Sequence, residues 1–245
     1  MNFQEIKKNI DAKGYHVEEN FFSNVEVELL RNFVDTKLKE NNYQYFFLTS
    51  NTIENNLLNN KLFFEKIDKL LKSLTIEFVK KINLKDEIYK VLRVVTGKKS
   101  NKVSLKYHFD AHLLTLLIPI YIPNRENSEN GNLVIYRNLR KLHKNMLRNI
   151  LEKIFFQSWL FSKILKLNYV KKQLNEHILK LNPGNVYIFN GFRTLHTNLN
   201  IDPVDIRATL LVHYHDVFAD SFLVKLNREI RIKKELRNII NNKNN

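Results

Sequence analysis

The sequence predicts a mainly β core of the jelly-roll or small-barrel type, with helices in front of it and a helical insertion within it. Three observations lead there. From Ile88 onward, about eight short apolar or β-branched runs are separated by tight-turn residues, a pattern that favours a closed antiparallel core over a parallel sheet. The first ~85 residues instead place their apolar side chains at helical spacing. The stretch from Arg137 to Gln173 contains neither Gly nor Pro. A chain of 245 residues suits one such domain.

Residues 1–87 are expected to be mostly helical. Gly14-Tyr-His-Val-Glu-Glu-Asn-Phe-Phe22 reads as a short strand running into a helix. That helix covers Asn24 to Lys39, with Val27, Leu30, Phe33, Val34 and Leu38 at helical spacing and Ser23 as its cap. A second runs from Leu62 to Ile82. Residues 88–136 and 176–216 carry the expected core. Its strands are Tyr89–Thr96, Val103–His108, Leu113–Ile122 and Asn132–Tyr136, then His177–Leu181, Val186–Phe189, Thr194–Asn198 and Arg207–His215. Gly97, Pro123, Asn130-Gly131, Pro183-Gly184-Asn185, Asn190-Gly191 and Asp202-Pro203 punctuate them. Residues 137–175 form the amphipathic insertion, which must leave and return at one end of the core. Residues 217–245 are expected to be a basic helix fraying into an Asn-rich tail.

Composition excludes several chemistries. There is no Cys, hence no disulfide scaffold, thiolate zinc site, iron–sulfur cluster or Cys nucleophile. The N-terminus has no apolar signal core. The longest apolar run, Leu113 to Ile122, is interrupted by Thr115 and Pro119 and is too short to span a bilayer. The expected location is the cytoplasm, free or peripheral on the inner face of a membrane. Forty Lys and Arg against 25 Asp and Glu give a formal charge of +15. The insertion holds ten of those cations and a single acid, Glu152, a local charge of +9.

The chemistry is carried by His108-Phe109-Asp110. His and Asp at i and i+2 leave a strand on one side and can share a divalent metal. His196 supplies a third ligand, and two His with one carboxylate form the facial triad of non-haem Fe(II) oxygenases. Arg207 opens an apolar strand, with Thr209 facing the same way. An inward Arg in an apolar barrel needs an anion, and its planar fork fits a carboxylate. A dicarboxylate that chelates iron at one end and meets an Arg at the other is 2-oxoglutarate.

His108-x-Asp110, His196 and Arg207-x-Thr209, spread over short strands, resemble the Fe(II)/2-oxoglutarate-dependent dioxygenases. The segment from Gly14 to Phe22 and Leu181-Asn-Pro-Gly-Asn-Val-Tyr-Ile-Phe-Asn190 are similar to the phytanoyl-CoA dioxygenase-like branch. The resemblance covers roughly residues 12–216 and implies a double-stranded β-helix (jelly-roll) core with the N-terminal helices packed on one sheet. It further implies Fe(II) held by His108, Asp110 and His196, and 2-oxoglutarate held by Arg207 and Thr209. With dioxygen, such enzymes release succinate and carbon dioxide and hydroxylate a C–H bond. Asp110 speaks against a related halogenase, which has a small residue there.

The expected substrate is small and anionic or lipid-linked. An oxygenase acting on nucleic acid is the weaker reading, because the demethylases of that kind carry a second Arg where this chain has His213. A non-catalytic jelly-roll module that binds membranes or anionic sugars is the third. His213 and His215 alternate with Arg207 and Thr209, so they either line the pocket or bond at a strand end. His112 stays unassigned. For the insertion, an anionic membrane surface, a charged cover over the site, nucleic-acid contact and plain scaffold all remain open.

Overall fold

A computed structural model of the chain describes residues 1–50, 52–53, 61–78, 88–97, 105–126 and 129–219. The helices are α1 (Phe3–Lys13), α2 (Asn24–Glu40), α3 (Lys61–Phe78), α4 (Met146–Phe156), α5 (Trp159–Ile164) and α6 (Asn168–Gln173). The strands are β1 (Tyr15–Glu18), β2 (Phe46–Thr49), β3 (Tyr89–Val95), β4 (His112–Tyr121) and β5 (Leu133–Tyr136), followed by β6 (Glu176–Leu179), β7 (Val186–Phe189), β8 (Leu195–Asn198) and β9 (Arg207–Asp216).

They form a six-stranded sheet in the order β1-β7-β4-β9-β3-β2 and a three-stranded sheet in the order β6-β5-β8. Every strand pairing in both is antiparallel. This is the expected jelly-roll arrangement of two sheets. Leu117, Tyr187 and Phe189 of the large sheet meet Leu133, Ile135 and Leu179 of the small one.

The opposite face of the large sheet carries the N-terminal helices. Ile6, Leu30, Val34, Ile67 and Leu71 pack on Leu92, Val94, Leu114, Leu116, Ile188 and Val212. β4 is therefore covered on both faces. That explains why Leu113 to Ile122 reads as one apolar run and not as an alternation. Ser23 caps α2 in a reciprocal box: its side chain accepts from the Glu26 amide, and the Glu26 carboxylate accepts from the Ser23 amide. The segments 14–22 and 181–190 pair with each other. β1 lies antiparallel to β7, and the Phe22 amide donates to the Gly184 carbonyl at 2.9 Å.

Helix α1 lies within the expected helical first third, whereas strand β2 departs from it. β2 is short, and its pairing partner β3 lies some forty residues away. The run expected as a strand at Val103–His108 falls partly outside the described residues. From Leu105 onward it follows β8 loosely, through Leu105 N to Asn198 O and a single bridge at His108. Leu105 has φ +53°, which breaks a regular ladder there. Residues 79–82 of the second expected helix and the C-terminal helix from residue 220 lie outside the described residues.

The insertion is an enlarged hairpin loop. It leaves after Tyr136 and returns at Glu176, which are register partners. Phe161 and Leu165 of the insertion cover Val134, Tyr136 and Leu195, the outward side chains of the small sheet. Among the described residues no helix is long and apolar enough to cross a membrane. Ser23→Ala removes the acceptor of the α2 cap. It should lower stability by about 1 kcal/mol in urea unfolding with an unchanged m-value.

Candidate metal centre and anion pocket

Three ligand atoms converge at one end of the two sheets. The His108 and His196 backbones form a reciprocal antiparallel bridge, with N to O distances of 3.0 and 3.1 Å. Two residues on, the Asp110 amide donates to the Gly191 carbonyl at 3.0 Å. These bonds lace the segment 108–110 to the segment 191–196. Asp110 Oδ1 then lies 3.8 Å from His108 Nε2 and 3.7 Å from His196 Nε2. One ligand atom from each of the three residues lies within 4.8 Å of the others. Ligands ~2.1 Å from one ion are ~3.0 Å apart when adjacent and ~4.2 Å when opposite, so the set fits a first-row metal with shifts under ~1 Å.

Hydrogen bonding prepares each of the three. His108 Nδ1 lies 2.9 Å from the Lys106 carbonyl and His196 Nδ1 lies 3.0 Å from the Thr194 carbonyl. A carbonyl only accepts, so both rings carry the proton on Nδ1 and turn the Nε2 lone pair toward Asp110. The His108 side chain is 37% exposed; its partial burial, with His196 adding to it and Asp110 opposing, lowers its pKa and so favours the neutral ring. Burial by itself would raise the Asp110 carboxyl. His196, His213, His108 and the Thr115 hydroxyl outweigh it and hold the carboxyl well below the usual range.

Asp110 is oriented from behind. Thr115 Oγ1 donates to its Oδ2 at 2.6 Å, which commits the single hydroxyl proton. The 3.0 Å contact between Thr115 Oγ1 and His213 Nδ1 is then a donation from the imidazole. The relay His213–Thr115–Asp110 leaves Oδ1 for the metal. Gly191 completes it. A Cβ there would overlap Asp110 Oδ2 and Thr115 Oγ1. Gly191 has no positive φ, so it is needed for space and not for a turn.

Arg207 lies on the inner face of β9, 2% exposed and among the largest buried side chains. Its Nε donates to the Gly131 carbonyl at 2.7 Å, Nη2 to Asn198 Oδ1 at 2.7 Å, and Nη1 to Thr209 Oγ1 at 3.4 Å. Every one of these acceptors is neutral. Among the described residues no carboxylate pairs with it. Burial, with Arg93 adding to it, pushes the guanidinium down to about 9, so it remains charged at neutral pH. A buried cation without a counter-charge is costly, and an entering anion removes that cost. Gly131 also matters for space, because a Cβ would overlap the Arg207 side chain.

The structure thus brings His108, Asp110 and His196 together. It seats Arg207 and Thr209 side by side on the same inner surface. His213 reaches Asp110 through Thr115, whereas His215, at the end of β9, has φ +58°. The His112 ring stacks on His213 at 5.0 Å. Sequence reasoning missed Thr115, Gly131, Gly191, Asn198 and Arg93. Asn190-Gly191 and Asn130-Gly131 looked like plain turns, and the inward alternation from Thr115 to Leu117 was masked by the apolar run. Arg140 was counted with the insertion's basic surface, but it is buried behind the site. Its Nη1 donates to Asn149 at 2.8 Å, its Nη2 to the Asp110 carbonyl at 3.3 Å, and its plane stacks between Phe109 and Phe192.

No family model and no curated protein matches the chain. Solved structures do resemble it. The epimerase SnoN of nogalamycin biosynthesis, a non-haem α-ketoglutarate-dependent enzyme, superposes with a TM-score of 0.59 at 12% identity, over 87% of this chain and 83% of that one. EvdO2 from Micromonospora carbonacea var. aurantiaca superposes with a TM-score of 0.57 at 14% identity, over 86% and 90% of the two chains. A prolyl-4-hydroxylase from Pseudomonas putida gives 0.51 at 8% identity, over 87% and 98%. At these identities the likeness establishes the shared fold.

Gly191→Ala should displace Asp110 and weaken divalent-metal binding at least ~10-fold, as expected when a group supporting a metal ligand is disturbed. Titration with Co(II), followed by visible absorption, reads this. Unchanged far-UV circular dichroism would separate it from unfolding.

Proposed function

We propose that this protein is an Fe(II)- and 2-oxoglutarate-dependent oxygenase that hydroxylates a C–H bond of a small anionic or lipid-linked substrate. One observation carries the reading: a buried Arg207 lacking any carboxylate partner among the described residues shares an inner surface with a His–Asp–His cluster. His196 and Asn198 both face inward from β8, and Asn198 holds the Arg207 guanidinium. Two residues along a strand span ~7 Å, about the reach of a five-carbon dicarboxylate between a metal and a guanidinium. Two of the structurally similar proteins have been seen with the same cosubstrate, EvdO2 with 2-oxoglutarate and SnoN with Fe3+ and α-ketoglutarate.

Bound Fe(II) and 2-oxoglutarate together activate dioxygen for hydroxylation, with succinate and carbon dioxide as co-products. The chain supplies the rest. His108, Asp110 and His196 would hold the metal, with tautomers already set by the Lys106 and Thr194 carbonyls. Arg207 and Thr209 would take the distal carboxylate of 2-oxoglutarate. Arg93 stands opposite Thr209 in the β3–β9 register and so faces the same surface. The phytanoyl-CoA dioxygenase-like branch is supported by the Gly14–Phe22 and Leu181–Asn190 segments and by their pairing through β1 and β7.

Purified protein supplied with Fe(II) and 2-oxoglutarate in air should form succinate slowly without substrate. Asp110→Ala should abolish this while leaving the fold intact. Arg207→Ala should raise the 2-oxoglutarate requirement roughly 30-fold to several thousand-fold and change Fe(II) binding little. Folded protein that neither binds iron nor forms succinate would leave a non-catalytic jelly-roll module instead.

A further inference from the structure

The insertion presents the wrong face of its first helix to solvent. In α4, Leu147, Leu151, Ile154 and Phe155 recur at i, i+4, i+7 and i+8, and the first two are 74% and 67% exposed. The helix's only fully buried residue is polar Asn149, which accepts from Arg140. A helix lying on a globular core does the opposite. Trp159 (70% exposed) and Leu160 of α5, with Tyr169 of α6, extend the apolar surface. Large apolar side chains exposed together in one segment mark a contact site.

Lys141, Lys144, Lys163, Lys166 and Lys172 are exposed in the same segment. Lys163 Nζ lies 3.8 Å above the Trp159 ring, the pairing of aromatic and cation that suits a lipid headgroup region. The segment's one acid does not oppose them. Glu152 is turned inward, where His143 and Arg148 approach it at 3.0 and 2.7 Å and Arg140 at 3.4 Å. We propose that this outer face of the insertion docks the protein on an anionic phospholipid bilayer, with the helices lying in the interface.

Charge and apolarity together select that partner. A second copy would bring the same cationic face against itself across a two-fold axis. Nucleic acid would meet the lysines but offer nothing to cover Leu147, Leu151 and Ile154. An anionic bilayer takes both, with the aliphatic side chains in the acyl boundary and the ammonium groups among phosphates. Removing the whole insertion would be a poor test, because Arg140 ties it to the Asp110 carbonyl.

The test uses the full chain with vesicles of phosphatidylcholine alone or mixed with phosphatidylglycerol. Trp159 is the only tryptophan, so its emission reports the docking face directly. The expected result is co-sedimentation and a blue shift with the mixed vesicles, both weakened at high salt and both absent with phosphatidylcholine alone. Lys163→Glu combined with Lys166→Glu should weaken binding about 30-fold or more. Leu151→Asp combined with Ile154→Asp should abolish it, with circular dichroism and uncoupled succinate formation unchanged. Equal binding to both vesicle types, binding to neither, or full binding by the Leu151/Ile154 variant would overturn the proposal. So would a Trp159 response to single-stranded oligonucleotide that mixed vesicles fail to produce.

Discussion

The reciprocal backbone bridge between His108 and His196 is the constraint on which the site depends. It is one pair of hydrogen bonds, not a ladder, and it joins a loop to the end of β8. Because the bridged residues are also the two imidazole donors, their separation is set by main-chain geometry and not by flexible side chains. Asp110 enters the same frame through its amide bond to Gly191. Preorganised donors need little reorganisation when a metal binds.

The inner surface around this frame is charged in a way a folded core alone does not favour. Arg207 is buried among neutral acceptors, with Arg93 on the same face of the neighbouring strand. At the other end, Asp110 is surrounded by three histidines and a threonine. The inner surface thus separates a carboxylate end, beside the histidines, from a cationic end. A ligand with a chelating head and an anionic tail, as proposed above, would match both and offset the cost of burying the cation.

The insertion joins two tasks in one hairpin. Its inner residues Phe161 and Leu165 cover the small sheet, and Arg140 reaches the main chain of Asp110. Its outer residues carry apolar and cationic groups that stand exposed among the described residues. Glu152 is common to both, since it pairs with Arg140, His143 and Arg148 behind the site and leaves the outer face of the insertion without an acid.

Much of the fold was legible in the sequence because burial dictates pattern. The capped helix after Ser23, strand β7, most of β3, β4, β5, β8 and β9, and the length of the insertion all follow from period, turn residues and the absence of Gly and Pro. That His108, Asp110 and His196 would converge, and that Arg207 and Thr209 would face inward together, was legible from rare residue types at strand spacing. What only the tertiary structure decided is contact between distant segments. Gly191 reads as a turn until Asp110, 81 positions earlier, is placed against it. Thr115 disappears inside an apolar run until the register of β4 turns it toward Asp110 and His213. Arg140 reads as surface charge until the hairpin folds back over Phe109 and Phe192. A linear pattern records which side of an element faces the core, but not which partner waits there, because that partner comes from elsewhere in the chain.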